Sequence, residues 1–378
     1  MLDKVVSDIV AKVFPTGTDY QLDCQNGSSK NLFWLVPGKG NEPRWILPSE
    51  HKFGDLFLHQ WRPYDKLSRF KWGCLMGAYK GNMLGWVPDV IPLSIYVPHQ
   101  SQWQHLGWFL DQPPVPVIYV GTPVPRRKVV FGLIDVQKNE VASIGKAPLG
   151  LMGGDSINYE SEILDRMQKE KPGRAPRSLF VDRKNGIATQ EFFSGSPTGR
   201  ILTKHHVKFL IDLAIPGETI SLREGLEDFR RQIKNLDHID PEDRTVLERV
   251  LVEVDDPSLL PAVWEHGDFA PWNLKSASNG SLRAIDWEAA SRRGLPLFDL
   301  VHFYSIQAFQ FGEKELFPKS FRGLLSQYLE RLGIAPGMTR KIIRACIARD
   351  WLRRHEEGDR PLAAFLLQTL ASPLGDIA

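Results

Sequence analysis

The sequence has few cysteines, and the three that it has lie far apart. Cys24, Cys74 and Cys346 offer neither a disulfide framework nor the close spacing of a metal site. An unpaired set of this kind favours a reducing compartment. The first residues, from Met1 to Val6, contain no uninterrupted apolar core of the secretory type. We therefore expect a cytoplasmic protein.

An excess of charge and a long apolar run are also missing. The formal net charge is +2, which provides no field for binding nucleic acid. The most apolar stretch, residues 83–97, is interrupted by Pro88 and Pro92 and is too short to cross a bilayer. Hydrophobic residues make up 42% and charged residues 24% of the chain, as in ordinary globular proteins. The 378 residues are enough for two or three domains.

The most informative segment is His266–Asn273, which reads HGDFAPWN and is followed by Asp286 in the string IDWE. This spacing suits metal-assisted phosphoryl transfer. One carboxylate must hold the attacking hydroxyl and accept its proton, and oxygen ligands must hold Mg²⁺ against the nucleotide phosphates. Asp268 fits the first task, while Asn273 and Asp286 fit the second.

A hairpin is predicted between the two parts of this pattern. Residues 274–277 and 281–285 are strand-like and flank Ser278-Asn279-Gly280. Asn-Gly is a strong hairpin signal because both residues tolerate positive φ. The hairpin would carry the chain away from Asn273 and return Asp286 to the same place.

These residues resemble the catalytic loop of the aminoglycoside phosphotransferase and choline kinase-like family, whose fold is that of the protein kinases. The resemblance implies an α+β, two-lobed protein-kinase-like fold with a small β-rich N-lobe and a helical C-lobe. It also implies ATP and Mg²⁺ as cofactors. His266 would brace the loop beside the catalytic Asp268. Asp299 would support the loop from behind, or would merely cap the helix that follows it.

An ATP-binding lobe should precede the loop, and three strand-like segments occupy residues 116–120, 128–135 and 140–146. Lys146 on the third resembles the kinase lysine that holds the α and β phosphates, and it needs an acidic partner on the next helix. The periodic segment Asn158–Met167 predicts that helix. Glu160 is the expected partner and Glu162 the alternative. Taken singly, an exposed lysine and an exposed amphipathic helix would explain the same residues.

Two features of the lobe are less specific. Gln190, Glu191 and Phe192 are candidates for the hinge that binds adenine through main-chain groups, but each could equally be a core strand residue. The glycine triplet of protein kinases is absent, since residues 121–127 read GTPVPRR. Arg126 and Arg127 could contact phosphates, although an exposed basic turn is favoured.

The domain organisation follows from where the kinase pattern begins. Residues 113–195 are assigned to the nucleotide-binding N-lobe and residues 196–378 to a helical C-lobe with the acceptor pocket. Residues 1–112 form an additional N-terminal α/β region of unknown role, with a helix from Leu2, a hairpin over residues 31–47 and a helix from Leu67 to Tyr79. Its tryptophans could line a sugar site, but a core is favoured; they are Trp34, Trp45, Trp61, Trp72, Trp86, Trp103 and Trp108.

The C-terminal half has helical periodicity over most of its length. The predicted helices cover residues 201–213, 222–233, 241–254, 299–311, 321–332 and 339–354.

The leading hypothesis is an ATP-dependent phosphotransferase that acts on a hydroxyl group of a small molecule, with Asp268 as the base. Family substrates include sugars, aminoglycosides, choline-like amines and homoserine. Acidic residues that could hold a cationic acceptor are mixed with Arg and Lys, so a neutral polyol is slightly favoured; these residues are Glu313, Glu315, Glu356, Glu357 and Asp359. The alternative is a catalytically silent kinase-like module that recruits a partner through its N-terminal region. A protein kinase is disfavoured because the Ala-Pro-Glu and glycine-loop signatures are absent.

Overall fold

The computed structural model describes residues 2–23, 32–38, 40, 42–61, 63–99, 101–236, 239–277, 279–313 and 315–372. The chain divides into two compact units, Met1–Gly195 and Ser196–Ala378. Cys24 and Ser278 lie outside the described residues, as do Asn31, Lys39 and Asn41 of the predicted N-terminal hairpin.

The first unit contains a nine-stranded antiparallel sheet, within the part of the chain just given. Its strands in chain order are β1 (Asp19–Leu22), β2 (Leu32–Pro37), β3 (Pro43–Pro48), β4 (Ile91–Tyr96), β5 (Val115–Val120), β6 (Lys128–Asp135), β7 (Glu140–Pro148), β8 (Ser178–Asp182) and β9 (Ile187–Glu191). Their order across the sheet is β1-β4-β2-β3-β5-β6-β7-β9-β8. The three predicted N-lobe strands are therefore neighbours at β5, β6 and β7.

Among the described residues of this unit, four α-helices accompany the sheet: α1 (Leu2–Val13), α2 (His51–Leu58), α3 (Lys66–Lys80) and α4 (Gly153–Glu170). In α1, the buried residues Val6, Ile9, Val10 and Val13 recur at the spacing that places them on one helix face. The helix predicted over residues 158–167 is longer than expected, because α4 begins at Gly153 and ends at Glu170.

Two apolar cores lie on the two faces of the sheet. Phe33 and Leu35 of β2 belong to one core, while Trp34 and Val36 belong to the other. Side chains alternate between the two faces of a strand, so a continuous apolar run such as that of β2 is buried on both sides. Helices α1 and α2 contribute to different cores through Ile9 and Phe57.

The sheet continues without a break from the additional region into the expected N-lobe. Trp45 and Ile46 of β3 pair with Tyr119 and Ile118 of β5. Residues 1–112 thus supply four strands of the same sheet, β1 to β4. The functional division at residue 112 stays a prediction.

The second unit is mainly helical. Its helices are α5 (Lys204–Asp212), α6 (Leu222–Gly225), α7 (Glu227–Asn235), α8 (Pro241–Glu253), α9 (Phe298–Phe311), α10 (Lys319–Leu332), α11 (Thr339–Glu356) and α12 (Arg360–Ala371). Its short strands are β10 (Ser196–Pro197), β11 (Ala214–Ser221), β12 (Leu259–Glu265), β13 (Leu274–Ser276), β14 (Leu282–Ala284) and β15 (Ser291–Gly294). The α+β class, with a β-rich first part and a helical second part, is confirmed.

One difference from expectation concerns the C-terminal half, which is not wholly helical. Strands β11, β12 and β15 form a sheet of three antiparallel strands, in which β12 is central. The apolar residues of β12, among them Val263 and Trp264, are buried. A buried strand gives a continuous apolar run without the helical period, so periodicity does not identify it.

Most tryptophans of the N-terminal region are core residues, as favoured from the sequence. Trp34, Trp45, Trp103 and Trp108 are buried. Trp86 and Trp61 are exceptions, since 88% and 37% of their surfaces are exposed, and Trp72 is partly buried. None of the helices in the described ranges has the length and apolar character needed to cross a membrane.

Gly145 of β7 has no room for a side chain, and this gives a stability prediction. A Cβ at Gly145 would lie 2.0 Å from the ring of Phe131, which is fully buried. We expect Gly145→Ala to destabilise the fold by about 1–3 kcal/mol, the typical cost of overpacking. The matched control is Gly73→Ala in α3, where an added Cβ would meet nothing within 4 Å. A lower denaturation midpoint for the control, or an unchanged midpoint for Gly145→Ala, would contradict this account.

Candidate functional site

The loop that carries Asp268 begins where β12 ends, and Asp299 holds it from behind. The N–H groups of His266 and Gly267 donate to the two carboxylate oxygens of Asp299, at 2.8 and 2.9 Å. Asp299 lies in the first turn of α9, but the helix has no side-chain cap. Burial raises the pKa of Asp299 to about 7, although the two N–H groups oppose this shift. Asp299 therefore contacts the loop and does not cap its helix.

Gly267 is required by the backbone of this loop. Its φ is +81°, a conformation that side chains with a Cβ rarely adopt. A Cβ there would lie 2.1 Å from the carbonyl oxygen of Ala289. The glycine thus allows the loop to pass close to the segment that follows the IDWE string.

His266 connects the loop to this segment. Its Nδ1 accepts a hydrogen bond from the N–H of Asp268 at 3.2 Å, so its Nε2 carries the proton that it donates to the carbonyl oxygen of Ile285 at 2.9 Å. Burial lowers the pKa of His266 and favours this neutral form. His266 thus contacts both the loop and the segment before Asp286, and its role in bracing the loop stays a prediction.

The predicted hairpin is present as β13 and β14, and it closes beside Asn273. The N–H of Ile285 donates to the carbonyl oxygen of Asn273 at 2.9 Å. Asp286 follows at once with a φ of +67°, an uncommon conformation for a residue other than glycine. Trp287 is fully buried and its ring centroid lies 4.6 Å from that of His266. Backbone pairing and this aromatic contact therefore fix the position of Asp286 relative to the loop.

Asp268 is surrounded by hydrogen-bond donors. Its Oδ1 lies 3.0 Å from Nε2 of His302 and 3.3 Å from Nη2 of Arg354. Its Oδ2 accepts from Nδ2 of Asn273 at 2.9 Å. The side chain retains 30% exposure. Burial raises the pKa of Asp268, but the hydrogen bond from His302 and the charges of His302, Arg354 and Arg353 outweigh it and hold the pKa well below its usual range. The carboxylate is therefore ionised at neutral pH.

Sequence reasoning missed the residues behind Asp268. Nδ1 of His302 lies 2.8 Å from Oδ2 of Asp350, and Arg353 donates to Oδ1 of Asp350 at 2.7 Å. These residues lie on α9 and α11, far from the loop in sequence. One signal was available: His302 follows Asp299 by three residues, which places both on one face of α9.

Asn273 and Asp286 have the atoms that a magnesium ion would need. The amide nitrogen of Asn273 donates to the carbonyl oxygen of Asp268 at 2.9 Å and also to Oδ2. Its amide oxygen is thereby left to face other groups, and oxygen is the ligand that Mg²⁺ prefers. Within the described residues, no group of three or more His, Cys, Asp and Glu side chains could hold a metal. A site of two protein oxygens completed by phosphates and water fits Mg²⁺ better than a closed protein cage does.

In the first unit, Lys146 of β7 contacts Glu160 of α4. Its Nζ lies 2.8 and 2.6 Å from the two carboxylate oxygens, and both residues are buried. Glu162, the alternative partner, instead accepts from Arg183 at 2.7 Å, and 48% of its side chain is exposed. The structure thus brings together Lys146 and Glu160 and leaves Glu162 at the surface.

The hinge candidates lie at the end of β9. Gln190 is buried and pairs with Ile144 of β7. Glu191 is the last residue of the strand, where its N–H donates to the carbonyl oxygen of Arg177 at 2.8 Å. Phe192 follows the strand and packs against the core that contains Trp34. Their role in binding adenine stays a prediction.

The favoured interpretation of residues 126 and 127 as an exposed basic turn is wrong for Arg127. Its Nη2 lies 2.7 Å from Glu42, its Nε donates to the carbonyl oxygen of Gly121 at 3.0 Å, and its side chain is only 10% exposed. The reason is that Glu42, which is distant in sequence, lies next to this connection in the fold. Arg126 is exposed as expected.

The contrast between Glu160 and Glu162 gives a second prediction. Glu160→Gln should destabilise the protein by about 3–5 kcal/mol, because it leaves the ammonium of Lys146 buried without its counter-charge. Glu162→Gln removes only an exposed ion pair and should cost about 0–1 kcal/mol. Denaturant titration of both variants tests this, and equal midpoints would show that the buried pair does not support the fold.

Three solved structures illustrate what the chain is similar to in fold. The GDP complex of wild-type aminoglycoside 2′-phosphotransferase-IIIa has 13% identity and a TM-score of 0.48, covering 69% of this chain and 92% of that one. A putative fructosamine-3-kinase from Thermobifida fusca has 15% identity and a TM-score of 0.46, covering 67% and 92%. Choline kinase LicA from Streptococcus pneumoniae has 15% identity and a TM-score of 0.43, covering 70% and 90%. No curated protein matches the chain.

The sequence match to a family model is more specific than these structural likenesses. It covers residues 205–338, which include the loop of Asp268, the hairpin, Asp286 and Asp299. Over these residues the chain matches the phosphotransferase enzyme family, which confirms the resemblance and the enzyme class that the catalytic loop predicted.

Proposed function

We propose that this chain is an ATP-dependent phosphotransferase that phosphorylates a hydroxyl group of a neutral small molecule, with Asp268 as the catalytic base. The observation that carries the proposal is the way in which Asp268 is held. A carboxylate offers about four lone-pair directions, two on each oxygen. Oδ1 faces two donors, His302 and Arg354, whereas Oδ2 faces one, Asn273. Among the contacts of the described residues, one direction on Oδ2 remains for an acceptor hydroxyl.

The proposed step follows from this geometry. The acceptor hydroxyl donates to Oδ2 of Asp268, which orients its oxygen and receives its proton. The oxygen forms a bond to the terminal phosphorus of ATP while the bond from that phosphorus to the ADP oxygen breaks, and ADP leaves with the bond electrons. Because Asp268 is ionised at neutral pH, it can accept the proton once the forming bond to phosphorus has made the hydroxyl acidic.

The remaining functional residues are assigned by the chemistry of their side chains. Asn273 and Asp286 would bind Mg²⁺, which supplies charge neutralisation at the phosphates when it is bound. Lys146, held by Glu160, would bind the α and β phosphates. Gln190, Glu191 and Phe192 are assigned to the adenine through their backbone groups. His266 braces the loop and takes no proton from the acceptor.

A neutral acceptor is supported by the acidic residues that could have held a cation. Glu313 pairs with Arg200, Glu357 accepts from Arg354 at 3.2 Å, and Asp359 accepts from the first turn of α12. Asp350, the carboxylate behind Asp268, is engaged in the same way, since it contacts His302 and Arg353. An ammonium group is recognised best by a carboxylate whose charge is not already balanced. Glu315 and Glu356, the other two acidic residues of this set, are exposed at the surface. The three engaged residues and Asp350 favour a sugar or another polyol over an amino alcohol.

The third prediction concerns the base and the acceptor together. The purified chain is incubated with radiolabelled ATP, Mg²⁺ and a panel of sugars, other polyols and amino alcohols. We expect transfer to a neutral polyol and a loss on the order of 10²- to 10⁴-fold in Asp268→Asn, the usual contribution of a general base. Nucleotide affinity should be retained, because an asparagine at position 268 keeps a side-chain oxygen that can accept from Nδ2 of Asn273, and Lys146 and Asp286 are unchanged.

The control for this experiment is Asp228→Asn, which removes a carboxylate that is 76% exposed on α7. It should transfer phosphate at the wild-type rate. Near-normal turnover in Asp268→Asn would exclude Asp268 as the base. ATP binding without transfer to any acceptor would favour the partner-recruiting module, and transfer to amino alcohols alone would exclude the neutral-acceptor class.

The fourth prediction concerns the metal. Asp286→Ala should abolish Mg²⁺-dependent ATP binding measured by calorimetry, because the IDWE string then keeps only Glu288 as a carboxylate. Glu288→Ala is the matched control and should leave the affinity near that of the wild type. If the two variants behaved in the opposite way, the metal role would pass to Glu288. Unchanged affinity in both would make Asp286 a structural residue.

A further inference from the structure

Behind Asp268, His302 is held between two carboxylates in the interior of the second unit. Its side chain is 1% exposed. Nε2 lies 3.0 Å from Oδ1 of Asp268, and Nδ1 lies 2.8 Å from Oδ2 of Asp350. The imidazole ring thus links the loop to α11 through the helix that also carries Asp299.

The two contacts fix the protonation state of the ring. An ionised carboxylate can only accept hydrogen bonds, and a neutral imidazole has only one N–H to donate. Both contacts are satisfied at once only by the imidazolium form, in which both nitrogens donate. In agreement, burial lowers the pKa of His302, but the charge of Asp350 and the hydrogen bond with Asp268 outweigh it and raise the pKa above its ordinary value.

Other charged groups face His302 and Asp350 from the neighbouring elements. On α11, Arg353 donates to Oδ1 of Asp350 at 2.7 Å, and Nε of Arg354 lies 3.5 Å from the same oxygen. Arg354 also reaches Asp268. The charge of His302 in turn lowers the pKa of Asp299 and that of His266. Asp350, paired with three cationic groups, is held ionised with its pKa far below the usual range, although burial opposes this.

We propose that His302, held by Asp350 as an imidazolium, is the positioning residue that fixes Oδ1 of Asp268 and so directs Oδ2 to the acceptor hydroxyl. The proposal rests on the proposed function, since it assigns a role to the group behind the base. Without His302, Oδ1 would keep only the longer contact to Arg354, and the carboxylate could rotate. A misplacement of about 1 Å in a reacting group can cost about 100-fold in rate.

The variant His302→Gln removes the positive charge of the imidazolium, and its shorter side chain cannot donate to both Asp268 and Asp350 as the two ring N–H groups do. His205→Gln is the control. His205 is exposed on α5. The readout is the hydrolysis of ATP in the presence of Mg²⁺ with water as the acceptor, together with transfer to any polyol found active. We expect kcat of His302→Gln to fall on the order of 10- to 100-fold. The KM for ATP should not change, because His302 contacts none of the residues assigned to the nucleotide. A residue that merely supported the fold would not separate kcat from KM in this way.

A second arm tests the charge of His302 without using activity. In chain labelled with ¹⁵N-histidine, the His302 signal, identified by its loss in His302→Gln, should be that of an imidazolium well above pH 6.5, the ordinary pKa of histidine being about 6.5. Because the folded state raises this pKa, the contact is complete at lower pH and is lost as the pH rises through the folded value. Asp350→Asn should move this loss, and the high-pH limb of kcat, to lower pH. The variant Asp350→Asn also tests the positioning role if His302→Gln does not fold.

The outcomes separate the two proposals. A wild-type chain that neither hydrolyses ATP nor transfers phosphate would overturn the proposed function and the positioning role with it. An active wild-type chain with a fully active His302→Gln would overturn the positioning role alone. So would a neutral imidazole at pH 6 in the wild type. A selective loss of kcat together with the imidazolium signal would establish the role.

Discussion

Buried carboxyl groups hold the loop of Asp268 in the second unit in place. Asp299 accepts from two successive N–H groups of the loop, and Glu265, at the end of β12, pairs with Arg349 at 2.6 and 3.0 Å. A buried carboxyl group is costly unless its oxygens find hydrogen-bond partners. The backbone of the loop supplies two donors to Asp299, and Gly267 provides the φ that this position of the loop requires.

The need of buried carboxyl groups for partners applies to Asp268 as well. Asp268 and Asp350 lie on either side of His302, and the guanidinium groups of Arg353 and Arg354 supply the further positive charge that two carboxylates in one interior require. This arrangement keeps Asp268 ionised while restricting the directions in which it can accept. Within this cluster, the negative charges of Asp268 and Asp350 are both compensated. The proposed roles of Asp268 and His302 and the proposed neutral acceptor thus all rest on this one cluster of charges.

Much of the candidate site could be predicted because it is encoded locally. The distance from Asp268 to Asn273 is five residues, and the Asn-Gly turn determines that β13 and β14 return the chain to Asn273. The strands β5, β6 and β7 and the helix α4 follow from their own apolar patterns, and Glu160 rather than Glu162 faces Lys146 because it lies on the buried side of α4. By contrast, β11 and β12 were missed in a segment dominated by helices. Arg127 was misjudged because Glu42 is 85 residues away.

The sequence by itself determined the reaction class, the residues suited to it and the order of a β-rich part before a helical one. The motif and the individual strands and helices depend on the spacing and periodicity of residues that are close in sequence, where local backbone geometry restricts the possible conformations. Only the tertiary structure decided what surrounds the base. His302, Asp350 and Arg354 approach Asp268 from 34, 82 and 86 residues away. Periodicity shows that a helix has a buried face, but which charges meet there depends on how α9 and α11 pack. Each of them is stable in the interior only because the others are present.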